Sequence, residues 1–464
     1  PAPTIPIGGL FQADTYLGAQ NLDQEYLSQE IRIESNSDQR LRWSAGAFYF
    51  KSESTSSTAF NVDVSDALEA SGLPADQLIF LTAEPLYFPS AFHPIFGFPI
   101  AFFNGNMGVS HPVLAQPSVD PATTGIIWWE GSNPNNHLTS GINKVTQHAL
   151  FGSFEYDVTD QVTVTTELRW TNDNRTLLST KDDFFFSLKT FEAAGVPAYH
   201  EVKHDYLDPR FTVSYKATED AMLYASASHG TRSGGINPSL PITADPSFEP
   251  EENWTYEVGA KTTWLNGRLQ INGAAFIIDW TAAQFRQILS NFLTTTANSE
   301  GLDISGFEVD FIYNPIDNLL ITGGYGYADA EFADGTLWTG GNAFCSKMKD
   351  GSIHQTLPIN CVTSPINGKS YPDMSKKMPK RSSKTTANLA VEYRRSLPES
   401  VMNDLNGFVR LDAFYRSKQY MDEINVAFVP DRLVMNFSAG IESGNFDLKI
   451  WVRNLLDDDK PIYA

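Results

Sequence analysis

The sequence predicts an all-β protein, an antiparallel transmembrane β-barrel with long extracellular loops. Three observations carry this prediction: segments in which apolar and polar side chains alternate strictly, a regular succession of short turns and long connections, and the lack of a stretch that could form a membrane helix. Because hydrocarbon offers backbone polar groups no water, a chain without such a helix can span a bilayer only as a closed sheet.

Alternation is clearest in residues 161–170, 407–416 and 445–454. A period of two with charges confined to one face is typical of half-buried antiparallel strands. A slip of one residue would exchange the two faces, so the pattern also predicts the direction of each side chain. We expect lipid contact for Val162, Val164, Leu168, Phe446, Leu448 and Ile450, and a lumen position for Glu167, Arg169, Asp447 and Arg453.

Short turns and long connections follow one another along the chain. Turn-forming residues predict tight turns at 35–39, 157–161, 216–220, 265–267, 314–318, 397–407 and 442–445. Long connections lie at about 51–143, 176–204, 232–252, 281–303, 332–383 and 419–430. This succession predicts about fourteen strands joined in pairs, with the short turns on the periplasmic side of an outer membrane.

Composition and charge exclude several other classes of protein. The most apolar stretch, residues 85–103, contains four prolines and cannot form a continuous helix of about 20 residues. A net charge of −22 without a basic patch argues against a nucleic-acid partner. No nucleophile elbow or phosphate-binding loop is present, and adjacent carboxylates such as Glu251 and Glu252 read as loop charges. We therefore expect no catalytic residues and no cofactor.

One short stretch matches a metalloprotease pattern. Residues 200–204 read His-Glu-Val-Lys-His, and the H-E-x-x-H pattern holds zinc only when both histidines share one face of a helix. Pro197 and Pro209 leave no room for that helix. In an extended segment His200 and His204 would lie roughly 13 Å apart, too far for bonds of about 2 Å to one zinc ion. We expect no metal site here.

Five segments together resemble the barrel of a TonB-dependent outer-membrane receptor. They are residues 28–50, 206–237, 253–280, 304–332 and 448–458. The resemblance implies a location in the bacterial outer membrane and a barrel of 22 strands. It also implies that the receptor imports a scarce nutrient through its barrel. TonB supplies the energy by pulling on an N-terminal plug domain, which opens the path through the barrel.

Residues 1–464 are interpreted as one partial barrel domain. No plug domain is recognisable, and the chain stops at Ala464 rather than on the final aromatic residue that the family's barrels carry. We therefore expect the strands of this chain, about fourteen in number, to be strands 8 to 21 of a 22-stranded barrel. The plug, strands 1 to 7 and strand 22 would then be missing. Residues 1–26 are expected to be a loop, and the strands at 27–35 and 445–454 are not expected to pair with each other.

The substrate class stays open at this point. Ferric siderophores, haem, cobalamin and oligosaccharides are all imported by the family, and the expected partners are the TonB complex through the plug, such a ligand, and the lipid bilayer with its lipopolysaccharide. A passive fourteen-stranded porin or fatty-acid-type channel is the alternative function. An outer-membrane hydrolase is a third, for which a Ser/His/Asp cluster would be needed.

The two cysteines, Cys345 and Cys361, lie in the long connection 332–383. If that connection is extracellular, its oxidising surroundings favour a disulfide, which would stabilise the loop by roughly 3 kcal/mol. Two reduced or metal-binding thiols are the alternative, but His354 alone does not complete a metal site.

Two further regions contain candidate ligand-binding residues. The connection 51–143 is rich in aromatic residues, which could stack on a ligand, form the loop's own small core or pack on a neighbouring chain. Residues 228–237 leave a strand for a glycine-rich loop, so its polar side chains could face a ligand or solvent. The candidates are Phe96, Phe98, Trp128 and Trp129 in the first region and His229 and Arg232 in the second.

Overall fold

The computed structural model describes most of the predicted strands and parts of the long connections. The described residues are 16–63, 117–119, 126–129, 138–178, 199–237, 246–288, 294–339, 341, 345, 359–364, 368–397, 405–444 and 446–460. No α-helix occurs among them. In this part of the chain, no helix is long and apolar enough to cross a membrane.

Twenty-four strands account for the regular structure of the described residues. Their bounds are β1 Tyr16–Glu34, β2 Leu41–Asp63, β3 Pro117–Val119, β4 Ile126–Trp129, β5 Leu138–Asp157, β6 Val162–Leu178, β7 Tyr199–Thr218, β8 Ala221–Arg232, β9 Gly235–Ile236, β10 Ser247–Phe248, β11 Glu251–Trp264, β12 Leu269–Thr281, β13 Gln284–Ile288, β14 Thr294–Asn298, β15 Gly301–Ile316, β16 Leu319–Phe332, β17 Cys361–Thr363, β18 Ser370–Pro372, β19 Thr385–Ser396, β20 Asn406–Arg416, β21 Gln419–Tyr420, β22 Phe428–Val429, β23 Arg432–Ser443 and β24 Phe446–Val452.

One large antiparallel sheet dominates the fold. It contains sixteen strands in the order β24-β23-β20-β19-β16-β15-β12-β11-β8-β7-β6-β5-β2-β4-β3, with β1 also paired to β2. Without the short strands β3 and β4, fourteen long strands remain, so the predicted number and pairing are confirmed. The predicted turn at 265–267 is equally clear, because Asn266 and Gly267 adopt positive φ angles of 53° and 86°.

Several strands extend further than the alternation predicted. The expectation of a loop through residue 26 was wrong for its last part, because β1 begins at Tyr16. Similarly, β2 continues to Asp63 and β7 begins at Tyr199. Apolar and polar residues do not alternate in the sequence of these extensions, but their backbones continue the ladders of the strands below them.

The sheet has one apolar face and one polar face. Leu168, Val258 and Ile450 lie on the apolar face and are between 46 % and 64 % exposed. Ion pairs cross neighbouring strands on the polar face, for example Arg42 to Asp157 at 2.6 Å. An apolar exterior and a polar interior are what a membrane barrel requires, so the two faces are assigned to lipid and lumen.

The predicted directions of individual side chains agree with this assignment. Leu168, Phe446, Leu448 and Ile450 are exposed on the apolar face, and Val162 and Val164 pair there with Tyr215 and Val213. Glu167 and Arg169 lie on the polar face, where Glu167 contacts Arg210 at 3.7 Å. Asp447 alternates with the apolar residues of β24, whereas Arg453 lies one residue beyond that strand.

Aromatic rings lie over glycines in the neighbouring strand at several points of the sheet. At Gly259 a Cβ atom would come within 2.5 Å of the Tyr224 ring, so only glycine leaves room for the ring to lie flat. Such a ring covers backbone that a glycine would otherwise leave unprotected. The directly opposed pairs are Gly46–Phe151, Gly259–Tyr224, Gly306–Phe276, Gly323–Phe311 and Gly440–Phe408.

The long strands at the two sides of the sheet, β1 and β24, do not pair with each other. Among the described residues β1 forms a ladder only with β2, and β24 only with β23. A self-contained porin of fourteen strands would need a direct ladder between them.

Candidate functional site

The long connections meet at one end of the sheet, here called the loop end; the short turns form the turn end. At the loop end, described parts of residues 332–384 and 419–430 form a small packed unit, here called the lobe. Met374, fully buried, packs with Phe332, Leu302 and Ala283. The lobe therefore has a hydrophobic core, which it shares with Leu302 of β15 and with Ala283.

The predicted disulfide lies inside the lobe. Cys345 and Cys361 are bonded, with Cα atoms 5.8 Å apart, and Cys345 packs with Ile359 and Ile424. Trp338 contacts both this cluster and the one around Met374. The disulfide thus links two stretches of chain, and Ile424 from a third packs against them.

Hydrogen bonds to Asp373 stabilise the β17–β18 hairpin of the lobe. The Asn360 side-chain amide donates to its carboxylate at 3.0 Å, and the Ser375 backbone amide donates at 2.9 Å. Burial acts to raise the pKa of Asp373, but these donors outweigh it and hold the pKa below its ordinary value. The charged carboxylate is therefore the form that the lobe binds.

Near the loop end the sheet parts between β7 and β8. Their ladder stops at Arg210 and Ser228, while β7 continues beside β6 and β8 continues beside β11. Asp208 lies where the two strands separate and accepts a hydrogen bond from Thr231 at 2.8 Å. The predicted residue His229 also contacts Asp208, with Nδ1 3.1 Å from its carboxylate.

His229 is enclosed on several sides. Its Nε2 atom lies 3.6 Å from the Glu252 carboxylate, and its ring lies 5.1 Å from the Trp254 ring. Only 11 % of the side chain is exposed. These contacts join β7, β8 and β11 at the point where the sheet opens.

The second predicted residue of this region, Arg232, contacts a buried carboxylate. Its Nε atom lies 2.7 Å from Glu251, whose other oxygen accepts the backbone amide of Gln284. The Arg232 side chain itself is 61 % exposed. Much of the Arg232 side chain is therefore open to solvent, while the ion pair with the buried Glu251 carboxylate holds its position.

After β8 the chain folds across the wall of the lumen. Strand β9 contacts β6 and β7, and a Cβ atom at Gly234 would lie 2.3 Å from the Phe248 carbonyl oxygen. Beneath this segment Asp173 is fully buried and bound by Arg175 at 2.9 Å and by Gln147 at 3.2 Å. A Cβ atom at Gly234 would also lie 2.7 Å from Nε2 of His204 in β7, so glycine is needed here for the close approach to the wall.

The other predicted residues lie elsewhere. Trp128 and Trp129 form part of β4, whose backbone pairs with the end of β2, and three strands separate β2 from β8. The structure therefore does not bring them beside His229. Phe96 and Phe98 lie outside the described residues.

The residues of the metalloprotease pattern do not form the helix that the pattern requires. His200 and His204 lie in strand β7, where the backbone is extended. In the described part of the chain, no group of three or more His, Cys, Asp or Glu side chains is placed to hold a metal ion.

Sequence reasoning missed the buried pair Asp173–Arg175 and the parting of β7 from β8. The first had a weak signal, since two opposite charges at positions i and i+2 share a face of a strand. The parting of the two strands had no signal in the sequence. Pro209 lies next to the point where the ladder stops, but a proline alone does not predict that two strands separate.

An outer face of apolar side chains, a polar inner face and an elaborated loop end define an outer-membrane β-barrel. The chain matches the family model described as TonB dependent receptor-like, beta-barrel, over residues 4–455. It therefore belongs to the TonB-dependent receptor family, which consists of transport receptors in the outer membrane of Gram-negative bacteria.

Similar proteins include receptors named for siderophores or their metal complexes. The siderophore receptor PiuA of Acinetobacter baumannii is 26 % identical over 284 residues, 59 % of this chain and 33 % of that protein. The metal-pseudopaline receptor CntO of Pseudomonas aeruginosa is 32 % identical over 131 residues, 26 % of this chain and 16 % of that protein.

A solved structure shows the same fold. The ferric yersiniabactin uptake receptor FyuA of Yersinia pestis superposes with a TM-score of 0.60 at 12 % identity, covering 97 % of this chain and 51 % of that one. The chain thus spans a third or less of the two similar sequences and about half of this solved structure.

Proposed function

We propose that the chain forms the barrel of an outer-membrane receptor that imports a siderophore–metal complex with energy supplied by the TonB complex. The family match over residues 4–455 carries this proposal. Within the family's wider range of nutrients, the names of PiuA and CntO favour a metal chelate over haem, cobalamin or an oligosaccharide.

In this proposal the loop end receives the ligand and the polar face forms the path through the membrane. His229 and Arg232 remain candidates for ligand contact, and Arg232 has the more accessible side chain. Trp128, Trp129, Phe96 and Phe98 are candidates on a separate part of the rim. The apolar face contacts the lipid bilayer, and the loop end lies among lipopolysaccharide. A plug domain would supply the contact with TonB.

The edges of the sheet support a larger barrel. Backbone groups left unpaired in hydrocarbon cost several kcal/mol each, and β1 and β24 each have one edge without a ladder among the described residues. Further strands between β1 and β24 would satisfy those groups, as the 22-stranded transporters do. Disulfide crosslinking in the complete protein tests this: cysteines at Leu27 and Leu448 that crosslink directly would contradict it.

Uptake of iron by cells tests the import function. In the bacterium that carries the gene, deletion is expected to abolish uptake of at least one ⁵⁵Fe-labelled siderophore from a panel of catecholate, hydroxamate and carboxylate chelates. Deletion of TonB is expected to abolish the same uptake. Uptake that continues without TonB would instead indicate a passive channel, and a deletion strain with unchanged uptake of every chelate would contradict the proposal.

A further inference from the structure

Two arginines face each other across β20 and β23 at the loop end. Arg416 is the last residue of β20, Arg432 is the first of β23, and the two are direct cross-strand partners. Both alternate with the apolar residues Tyr415 and Leu433, so they lie on the polar face. Like charges placed directly opposite each other destabilise a sheet unless something neutralises them.

Two other arginines of the polar face, Arg42 and Arg410, are neutralised by the protein itself. Arg42 contacts the carboxylates of Glu155 and Asp157. Arg410 likewise contacts Asp412 at 2.7 Å and Glu392 at 3.2 Å. At Arg42 and at Arg410, each guanidinium group thus contacts two carboxylates.

The pair at the loop end lacks this compensation. In the described part of the chain, Nε and Nη2 of Arg416 are buried without a hydrogen-bond acceptor, and no carboxylate forms an ion pair with that side chain. Arg432 contacts only Asp458, at 3.7 Å, and Asp458 also lies 3.9 Å from Lys460. Arg432 and Lys460 therefore share one carboxylate, and Arg416 has no ion-pair partner among the described residues, in a chain whose net charge is −22.

An exposed aromatic ring lies beside the arginines. Phe414 precedes Arg416 by two residues on the same face and is 50 % exposed, although it points toward the lumen. Val434, the cross-strand partner of Phe414, lies two residues from Arg432 on the same face of β23. The patch thus combines two guanidinium groups with an accessible apolar surface.

We propose that Arg416 and Arg432 form an anion-binding site that recognises negatively charged oxygen atoms of the imported chelate. Guanidinium groups bind carboxylate and phosphate oxygens through paired charge-assisted hydrogen bonds, and Phe414 offers a surface for the apolar part of the same ligand. This inference rests on the proposed import function and narrows it to anionic ligands.

Inorganic phosphate is a suitable probe because it tests the site without knowledge of the natural ligand. The complete receptor in detergent is titrated with phosphate at constant ionic strength and followed by isothermal titration calorimetry. Arg416→Gln and Arg432→Gln are each expected to weaken binding roughly tenfold, since the loss of one charge-assisted bond is worth about that factor. Arg416→Lys should retain part of the affinity.

Lys449→Gln is the matched control. Lys449 lies on the same face near the turn end, where it contacts the Phe408 ring at 5.7 Å, and its loss changes the net charge by the same amount. This variant should bind phosphate like the wild type, and unchanged circular dichroism of every variant shows that the barrel has folded.

Three results would overturn the proposal: a wild type that does not bind phosphate, equal affinity in the wild type and the double variant, or equal weakening by Lys449→Gln. The uptake experiment stands apart from this one. Phosphate binding that depends on both arginines, in a protein without TonB-dependent uptake, would refute the import function and leave the anion site in place.

Discussion

The wall of the barrel and the lobe at its loop end are stabilised in opposite ways. In the wall, large apolar side chains such as Val258 and Ile277 are more than half exposed on the outer face. In the lobe, Met374 and Cys345 are almost completely buried. The wall therefore depends on lipid to cover its apolar surface, whereas the lobe depends on a buried core that it shares with the loop ends of neighbouring strands.

Met374→Ala should have the largest effect, on the lobe and on the strand ends that share its core. Removing a fully buried side chain of this size costs about 2–5 kcal/mol. Hydrogen exchange of the complete receptor in lipid should show faster exchange in residues 368–378 and unchanged exchange in β5 and β6, which contribute no residue to this core. Equal acceleration in both regions would mean that lobe and wall unfold together.

Val258→Arg should affect the wall instead. Val258 is 58 % exposed on the apolar face of β11, and an arginine facing lipid near the middle of the bilayer costs about 2–4 kcal/mol. Urea unfolding in lipid vesicles measures this loss. Thr255→Arg, on the polar face of the same strand, is the control and should cost far less; equal losses would contradict the assignment of the two faces.

Gly259→Ala tests the rings that lie over glycines. The added methyl group would displace the Tyr224 ring, which also donates a hydrogen bond to Glu257 at 2.7 Å. Overpacking of this kind costs about 1–3 kcal/mol, again measured by unfolding in vesicles. A second substitution, Tyr224→Ala, should make the glycine replaceable, and a cost that stays the same in that background would disprove the steric explanation.

The smallest effect is expected for acidification of the lobe. Because the folded lobe lowers the pKa of Asp373 from its ordinary 3.8, the carboxylate stabilises the lobe above that value and loses its effect as pH falls through the folded pKa. Hydrogen exchange in residues 368–378, corrected for intrinsic rates, should therefore accelerate below about pH 4. Asp373→Asn should reduce that dependence; an unaltered pH profile would rule out this carboxylate as its source.

The wall could be predicted from the sequence because its signals are local. Alternation in 161–170 and the Asn266–Gly267 turn each lie within a few residues, and the register follows from them. The lobe could not be predicted in the same way, since Met374 and Leu302 meet across distant parts of the chain without any periodic pattern. Its disulfide was the exception, because two cysteines in one loop leave only one possible pairing.

In the candidate site, too, the features with a local sequence signal could be predicted and the contacts between distant residues could not. His229 and Arg232 were singled out because they lie just before a glycine-rich stretch at the end of a strand, but their carboxylate partners Asp208 and Glu251 come from other strands. The opposition of Arg416 and Arg432 depends on the pairing of β20 with β23, which the intervening connection does not reveal. The sequence alone therefore does not reveal residues whose partners depend on the register between strands.

Spin labelling of two adjacent residues tests the assignment of the two faces most directly. Labels are attached to Leu168→Cys and Glu167→Cys in the complete receptor in lipid vesicles, and their accessibility to oxygen and to a water-soluble nickel chelate is compared. Because Leu168 lies on the apolar face and Glu167 on the polar face, the label at 168 should favour oxygen and the label at 167 the nickel chelate. Equal ratios at both positions, or the reverse order, would contradict a barrel whose apolar face meets lipid and whose polar face forms the lumen.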